Sequence, residues 1–361
     1  MYKITLIAGA RPNFMKIAPI ILAIEKNSNL SIKYRLVHTG QHFDEKMSAT
    51  FFKQLNIPEP DVNLNCGGGT QAEQTAAIMI AFEKELIANP TDLVLVVGDV
   101  TSTMACSIVA KKLQIKVAHV EAGIRSFDLS MPEEINRMVT DAITDYFFTT
   151  TISAGENLKK AGIEDHRIFF VGNVMIDTLE ANRNKFEPPQ FWNELSLKDK
   201  NYFVLTLHRP ANVDQVDNLR ALITEICKNV NGLPILFPIH PRTAIILRKS
   251  GISAPNLYVI EPLGYHQFNY LVERAMAVVT DSGGITEEAT VMGIPCMTLR
   301  DNTERPETVD VGTNVLVGTN PKAIKPAMDK LFSGNWKKGA IPEKWDGKSA
   351  ERIIMALLNE L

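Results

Sequence analysis

Three carboxylates and two arginines that could act on one charged substrate fall in the stretch Leu93–Arg137. Leu93–Val97 and Val117–Val120 are apolar runs, and each leads into a polar turn. Asp99 follows the first run and Glu121 the second. Glu133 and Glu134 come a little later in a Pro-Glu-Glu turn, with Arg125 and Arg137 on either side of it. Buried strands that end in polar turns are how an open parallel α/β sheet presents working residues, because ligands settle outside the carboxyl ends of the strands. Consecutive strand ends bring Asp99 and Glu121 near each other, and the Pro-Glu-Glu turn returns toward them. Such a set suits proton transfer and the stabilisation of developing charge. Each acid taken singly also has a plainer reading. Acids are common at strand ends, and Glu133 sits where a helix start favours negative charge. The chain holds 41 acids, so it is their arrangement, and no single acid, that points to a site.

A second set has the chemistry of phosphate binding. Asp281-Ser282-Gly283-Gly284 follows an apolar run and opens a helix. Glycines there let the backbone approach an anion, and the free N–H groups of the helix start favour one. A tight turn that merely closes a strand is the alternative. The motif is neither GxGxxG nor a P-loop, which leaves a dinucleotide or kinase reading little support. Glu288, one turn into that helix, either accepts hydrogen bonds from ribose hydroxyls or faces solvent. His208-Arg209 and His240-Pro241-Arg242 stand just past strands of the second half, where they suit a diphosphate or serve as surface caps. Arg11 and Lys16 come after the first strand. Two cations at a helix start oppose its dipole and so point to an anion.

The elements that must position these groups alternate along the chain. Residues 2–8, 34–38, 93–97, 117–120 and 167–171 read as strands, with helices between them. The segment 133–145 carries Ile135, Met138, Val139, Ala142 and Ile143 on one helical face. From about 174 to 201 the pattern loosens, with EPPQFWNELSLKDKN showing no sustained period. A second alternating series then runs through strands at 202–207, 234–239, 257–260, 277–280, 294–299 and 314–317, and 349–361 reads as a helix. At 361 residues two domains are the natural expectation. The fold class is α/β, with two Rossmann-like domains (residues 1–172 and 173–345) and a cleft between them lined by strand-end turns.

Bulk properties narrow the function further. A net charge of −3 gives no reason to expect nucleic acid or a membrane surface. No apolar stretch approaches the ~20 residues of a membrane helix, and the N-terminal apolar run is too short for a signal peptide. Four cysteines without a CxxC pair, and seven histidines without HExxH-like spacing, suggest reduced thiols in a cytoplasmic protein and no metal site.

With these residues in view, the chain resembles a known family. GARPNFMKIAPI, HTGQHFDEKMS, GDVTST, HVEAGIRSFDLSMPEEINR, VGNVMIDTL, LHRPANVD, TDSGGITEEA and LRDNTERPETVDVGTN are similar to the blocks of the non-hydrolysing UDP-N-acetylglucosamine 2-epimerases, in the same order and at family-like spacing. The resemblance implies the GT-B fold, a UDP-sugar as substrate, no cofactor or metal, and a homodimer. It also implies a C-terminal helix, residues 346–361, that packs back on the N-terminal domain. It matches Asp99, Glu121 and Glu133 to the acids at the sugar, His208 to the histidine by the diphosphate, and Arg11 and Lys16 to the basic pair of the first turn. Ser282, Gly283 and Gly284 match the diphosphate loop, Glu288 the ribose carboxylate, and Phe268 an aromatic near the uracil. Arg137, His240 and Arg305 join the substrate-binding set. The chain departs from many bacterial members in having HRPANVD for HRRENxG and Thr286 for a common Gln. Relatives that invert C2 of UDP-2,3-diacetamido uronic acids share SFDLSMPEEINR-like features but tend to have TEW where this chain has Thr303-Glu304-Arg305-Pro306, which favours UDP-GlcNAc.

The implied reaction is interconversion of UDP-GlcNAc and UDP-ManNAc by loss and return of UDP through a 2-acetamidoglucal, for cell-surface polysaccharide precursors. The readings beside it are a C2 epimerase of a UDP-2,3-diacetamido uronic acid, a hydrolysing epimerase releasing ManNAc and UDP, a GT-B glycosyltransferase, and a UDP-sugar-binding module without chemistry.

Overall fold

A parallel strand covered by helices on both faces has no polar side to show, and its sequence is continuously apolar. Leu93–Val97 (β4) is such a strand, buried along its whole length. In the computed structural model, which describes residues 2–27, 32–41, 55, 57–239, 244, 246–247 and 251–360, it lies at the centre of a seven-stranded parallel sheet. The other strands are Tyr2–Ala8 (β1), Ile32–His38 (β2), Val62–Asn63 (β3), Lys116–Val120 (β5), Tyr146–Thr149 (β6) and Ile168–Phe170 (β7), in the order β3-β2-β1-β4-β5-β6-β7. The order reverses between β1 and β4, which is where such sheets place ligands. β6 was not among the strands the sequence pattern suggested.

The helices of this unit are Arg11–Lys26 (α1), Gln71–Ala88 (α2), Thr101–Lys112 (α3), Pro132–Ile143 (α4), Ile152–Lys160 (α5) and Val174–Asn182 (α6). The start of α2 is fixed by a capping box. Thr70 accepts from the Glu73 amide, and the Glu73 carboxylate accepts from the Thr70 amide. α4 reverses the usual amphipathic arrangement. Glu134, Asn136, Arg137, Thr140 and Asp141 are buried, whereas Ile135 and Met138 are 48% and 47% exposed. An apolar stripe ordinarily faces the core. Here the polar face has the stronger claim inward, because partners for its charges stand at the ends of β4 and β5.

The second unit repeats the plan with six strands: Phe203–Thr206 (β8), Ile235–Pro238 (β9), Leu257–Ile260 (β10), Ala277–Thr280 (β11), Cys296–Thr298 (β12) and Asn314–Leu316 (β13). Their order is β10-β9-β8-β11-β12-β13, so its reversal falls between β8 and β11. Its longer helices are Val216–Asn229 (α7), Tyr265–Arg274 (α8), Gly283–Val291 (α9) and Ile324–Phe332 (α10). Leu219, Leu222, Ile223 and Ile226 of α7 fill one face of this sheet, and Leu271, Val272 and Ala289 fill the other.

The units comprise Met1–Ala181 with Glu343–Leu361, and Asn182–Pro342. The boundary thus falls after Ala181, where the sequence pattern put it at 172, and the chain re-enters the first unit at Glu343, where the pattern put the return at 346. The last helix, Ser349–Glu360 (α11), packs against α1. Asp177 holds its first turn by accepting from the Ser349 and Ala350 amides at 3.0 and 2.6 Å. Trp345, fully buried, donates its indole N–H to the Thr150 carbonyl. No helix among the described residues is long and apolar enough to cross a membrane.

Candidate active site

The carboxyl ends of β4 and β5 carry a tight set of buried charges. Lys16, on α1, donates to Glu121 Oε2 at 2.6 Å, and both side chains are almost fully buried. Glu121 has φ +72°, a left-handed conformation that costs about 1–3 kcal/mol for a residue with a Cβ. It is held there because its amide and that of Ala122 both donate to the Phe148 carbonyl at the end of β6. Gly98, just after β4, also has φ +66°, and a Cβ there would lie 2.9 Å from the Lys16 ammonium. Glycine at this position lets the turn close down on the Lys16–Glu121 pair. Asn13 braces the same corner, donating to the Val97 carbonyl and accepting from the Gly9 and Ala10 amides.

Asp99 is gripped by α4. Arg137 donates to Asp99 Oδ2 through Nη2 at 2.6 Å and Nε at 3.1 Å, and Asn136 donates to the Asp99 carbonyl at 2.8 Å. Arg137 also donates to Glu134 at 2.7 Å, and Glu134 accepts the amides of Ser126 and Phe127. Burial works to raise the Glu134 carboxyl, but the Ser126 amide and Arg137 outweigh it and hold it below the ordinary glutamate range. Glu133, its neighbour, stays exposed. The two acids differ by about 100° around the helix, which turns one to the protein and the other to solvent.

In the second unit, Asp281 at the end of β11 is completely buried. It accepts from the His208 and Arg209 amides, from Asn212 Nδ2 at 3.1 Å, and from His208 Nδ1 at 2.9 Å. Burial alone would raise this carboxyl, yet the His208 ring, Asn212 and the Arg209 amide bring it below its ordinary value. The His208 side chain is 58% exposed, so the ring is fixed at one nitrogen and open on its other side. Ser282 stands at the N-cap position of α9 without a side-chain cap bond, and a Cβ at Gly283 would meet open space, so nothing crowds the amides of this helix start. Glu288 is buried and accepts from Tyr265 Oη at 2.8 Å. Its burial, with Glu287 beside it, pushes the carboxyl up to about 7 in spite of the tyrosine. Arg305 is not presented to solvent: it is buried against Glu287. Arg300 and Glu304 form a buried two-pronged pair, and although burial works the other way, Arg300 pulls Glu304 down to about 2.

The structure therefore joins Lys16 with Glu121, Asp99 with Arg137, and His208 with the turn before Ser282, Gly283 and Gly284. Phe268 is half-buried on the flank of the second unit's core. Arg11 opens α1, but its side chain, like His240, lies outside the described residues. Sequence reasoning missed Asn136, Asp141 and His119 as members, and named Glu134 and Asp281 in their motifs without giving them a role. A signal for two of them was present: His119 interrupts an apolar strand, and Asp281 is the acid inside the glycine motif. Among the described residues no group of three or more His, Cys, Asp or Glu side chains could hold a metal ion.

Two units that share the same order over six strands, each carrying its polar groups at the point where that order reverses, define the class: a GT-B-type α/β protein. Comparison narrows this. The family model for UDP-N-acetylglucosamine 2-epimerase matches residues 23–358. The UDP-N-acetylglucosamine 2-epimerase of Methanocaldococcus jannaschii is 43% identical, over 98% of each chain. The crystal structure of that organism's UDP-GlcNAc 2-epimerase in complex with UDP-GlcNAc and UDP matches with a TM-score of 0.88, covering 99% of each chain. The UDP-2,3-diacetamido-2,3-dideoxy-D-glucuronate 2-epimerase of Pseudomonas aeruginosa is 41% identical, over 88% of each chain. The chain belongs to the UDP-N-acetylglucosamine 2-epimerase family.

Proposed function

We propose that this protein interconverts UDP-GlcNAc and UDP-ManNAc by eliminating UDP and adding it back. The C2 hydrogen of the sugar has no flanking carbonyl and is barely acidic. Departure of UDP from C1 gives the ring oxocarbenium character, and the C2 proton then leaves to a carboxylate. The products of this half-reaction are 2-acetamidoglucal and UDP. In the return half, UDP oxygen rebonds to C1 while a proton is delivered to the opposite face of C2. Fixed charges placed where charge develops supply the larger part of such a rate, and proton transfer by positioned groups about 10²–10⁴-fold.

His208 and the open helix start at Ser282–Gly284 are assigned to the diphosphate, with Glu288 at the ribose. Asp99 and Glu121 are assigned to the sugar. Glu133, exposed on α4, is retained as the third acid because the resemblance matches it. The observation that carries the reading is the pairing of two carboxylates with buried cations at adjacent strand ends: Asp99 with Arg137, and Glu121 with Lys16. Both acids are thereby held in place and aimed without waiting for substrate. The test is an NMR time course of UDP-GlcNAc in deuterium oxide. Appearance of UDP-ManNAc with deuterium at C2 and no free sugar supports the reading. Free ManNAc would make the protein a hydrolase, and binding without exchange would make it a binding module. The 41% identity to the Pseudomonas aeruginosa protein keeps one second substrate in the assay, UDP-2,3-diacetamido-2,3-dideoxy-D-glucuronate; preferential turnover of it would replace the first assignment.

The same proposal includes a homodimer and a cytoplasmic location. The outward apolar face of α4 supports the first, and light scattering of the purified chain tests it. The free cysteines Cys66, Cys106, Cys227 and Cys296 support a reducing compartment, and expression of a fluorescent fusion followed by fractionation tests it.

A further inference from the structure

His119 is fully buried in β5, two residues before Glu121. Its Nε2 lies 2.8 Å from the carbonyl oxygen of Gly98. A carbonyl only accepts, so Nε2 carries the proton of that bond. Its Nδ1 lies 2.8 Å from Asp141 Oδ1 on α4. The other Asp141 oxygen faces Arg125 Nη1 at 2.6 Å and accepts the Gly123 amide at 3.1 Å. Burial works to raise the Asp141 carboxyl, and His119 and Arg125 overcome it, leaving the acid below its ordinary range. Asp141 thus anchors the far side of the ring, and Nε2 is the nitrogen that must donate, because the Gly98 carbonyl can only accept.

The grip on Gly98 matters because this left-handed residue leads directly into Asp99. α4 already holds Asp99 at its carbonyl through Asn136 and at its carboxylate through Arg137. The His119–Asp141 pair adds a third point, one residue earlier in the backbone. With two points fixed by α4 and a third by His119 of β5, the turn cannot rotate about the Gly98–Asp99 peptide without breaking a buried bond.

We propose that His119 is a positioning residue for the reaction: from beneath the sheet edge it clamps the Gly98 carbonyl and so sets where the Asp99 carboxylate stands. This rests on the assignment of Asp99 to the sugar. A displacement of about 1 Å in a reacting group costs about a hundredfold in rate. His119→Leu, which keeps the bulk and removes the donor, is therefore expected to lower kcat about a hundredfold while KM and UDP affinity stay within about twofold. His119→Gln, which keeps an N–H for the Gly98 carbonyl, is expected to recover about tenfold of that loss. A role confined to stability would move the melting temperature of both variants and would not separate them in kcat. Wild-type kcat in a folded His119→Leu, or equal kcat in the folded Leu and Gln variants, overturns the proposal. Should His119→Leu fail to fold, Asp141→Asn decides: about a tenfold fall in kcat at constant KM is expected, and unchanged kcat overturns it. Independently of activity, ¹⁵N-histidine NMR of the wild-type protein is expected to show a slowly exchanging proton on His119 Nε2, and a bare Nε2 overturns the clamp. If instead the wild-type protein puts no deuterium at C2 of UDP-GlcNAc, the proposed function fails while the NMR result for His119 still stands by itself.

Discussion

At the carboxyl edge of the first sheet most of the charges are wholly or largely buried and already matched: Lys16 with Glu121, Arg137 with Asp99 and Glu134, Arg125 with Asp141. At the same edge of the second sheet, reached by the same strand order, His208 stands more than half exposed beside an uncrowded helix start, and a single buried acid, Asp281, holds it. The two edges suit different tasks. Charges fixed in advance, away from water, cost no reorganisation when a reaction develops charge beside them. Donors left open to solvent take up and release a charged ligand, because water can replace the ligand at each departure. The first edge has the build of a place for chemistry and the second that of a place for binding.

The hardest blow to this contrast would come from the acids of the first edge. Asp99→Asn and Glu121→Gln are each expected to lower deuterium exchange at C2 by about 10²–10⁴-fold. UDP affinity, which the proposal assigns to the second unit, should stay near wild type. Isothermal titration with UDP beside the NMR rate assay checks both halves. Loss of UDP binding with a retained rate per bound substrate would erase the division between the edges.

Much of this division was legible in the sequence. Leu93–Val97, Leu257–Ile260 and Ala277–Thr280 form as strands at the expected bounds, because short apolar runs between turn residues leave a buried parallel strand little freedom to begin or end elsewhere. The open start at Ser282–Gly283 was legible too, since glycine after a strand has few other uses. The orientation of α4 was not. Its apolar period is the same whether Ile135 and Met138 point in or out, and only the tertiary partners Asp99, Ser126 and His119 bring Glu134, Arg137 and Asp141 inward. The same ambiguity hid which of Glu133 and Glu134 is buried. β6 escaped because Tyr146 begins three residues after α4 ends, too short a gap for a change of period to show. His119 was visible as an oddity in an apolar strand, but its use depends on Gly98 and Asp141, each about twenty residues away.

The second edge also stores acids of opposite tendency, and pH separates them. Glu288 is raised by burial from 4.5 to about 7. The folded protein therefore holds this proton more tightly than the unfolded chain does. The stability it brings is fully present below about pH 4.5 and is lost as the pH rises through about 7, by about 3 kcal/mol. Glu307, raised to about 7 by burial as well, acts in the same window. Urea melts between pH 4.5 and 8 are expected to show the decline, and Glu288→Gln should flatten it in part. An unchanged slope in the variant would mean that Glu288 is not the seat of the effect.

A smaller effect tests whether Asp281 serves binding as proposed. Asp281→Ala leaves the His208 and Arg209 amides and Asn212 without their shared acceptor and frees the His208 ring. Each donor left unsatisfied costs about 1–3 kcal/mol, so UDP affinity should fall about ten- to a hundredfold. The first edge predicts the opposite partition, with rate falling and affinity held. If Asp281→Ala lowers kcat at saturating substrate and leaves UDP affinity alone, the second edge takes part in the chemistry and the contrast between the sheets has to be redrawn.

The least of the expected effects lies at Asp177, a buried acid of the first unit that caps a helix. Its carboxylate accepts the first two amides of α11, and burial raises it to about 6 although those amides pull it down. Asp177→Ala removes the cap and should cost about 1 kcal/mol, in the range of other N-cap losses. Because α11 packs on α1, the helix that carries Lys16, the loss should appear first as faster amide exchange in residues 349–360 and only then as a change in rate. Hydrogen-exchange mass spectrometry and the C2 exchange assay on the same sample separate the two. If exchange in α11 quickens while kcat holds, the Lys16–Glu121 pair is braced by the sheet itself. A fall in kcat that tracks the fraying of α11 would instead make the last helix part of what keeps the first edge rigid.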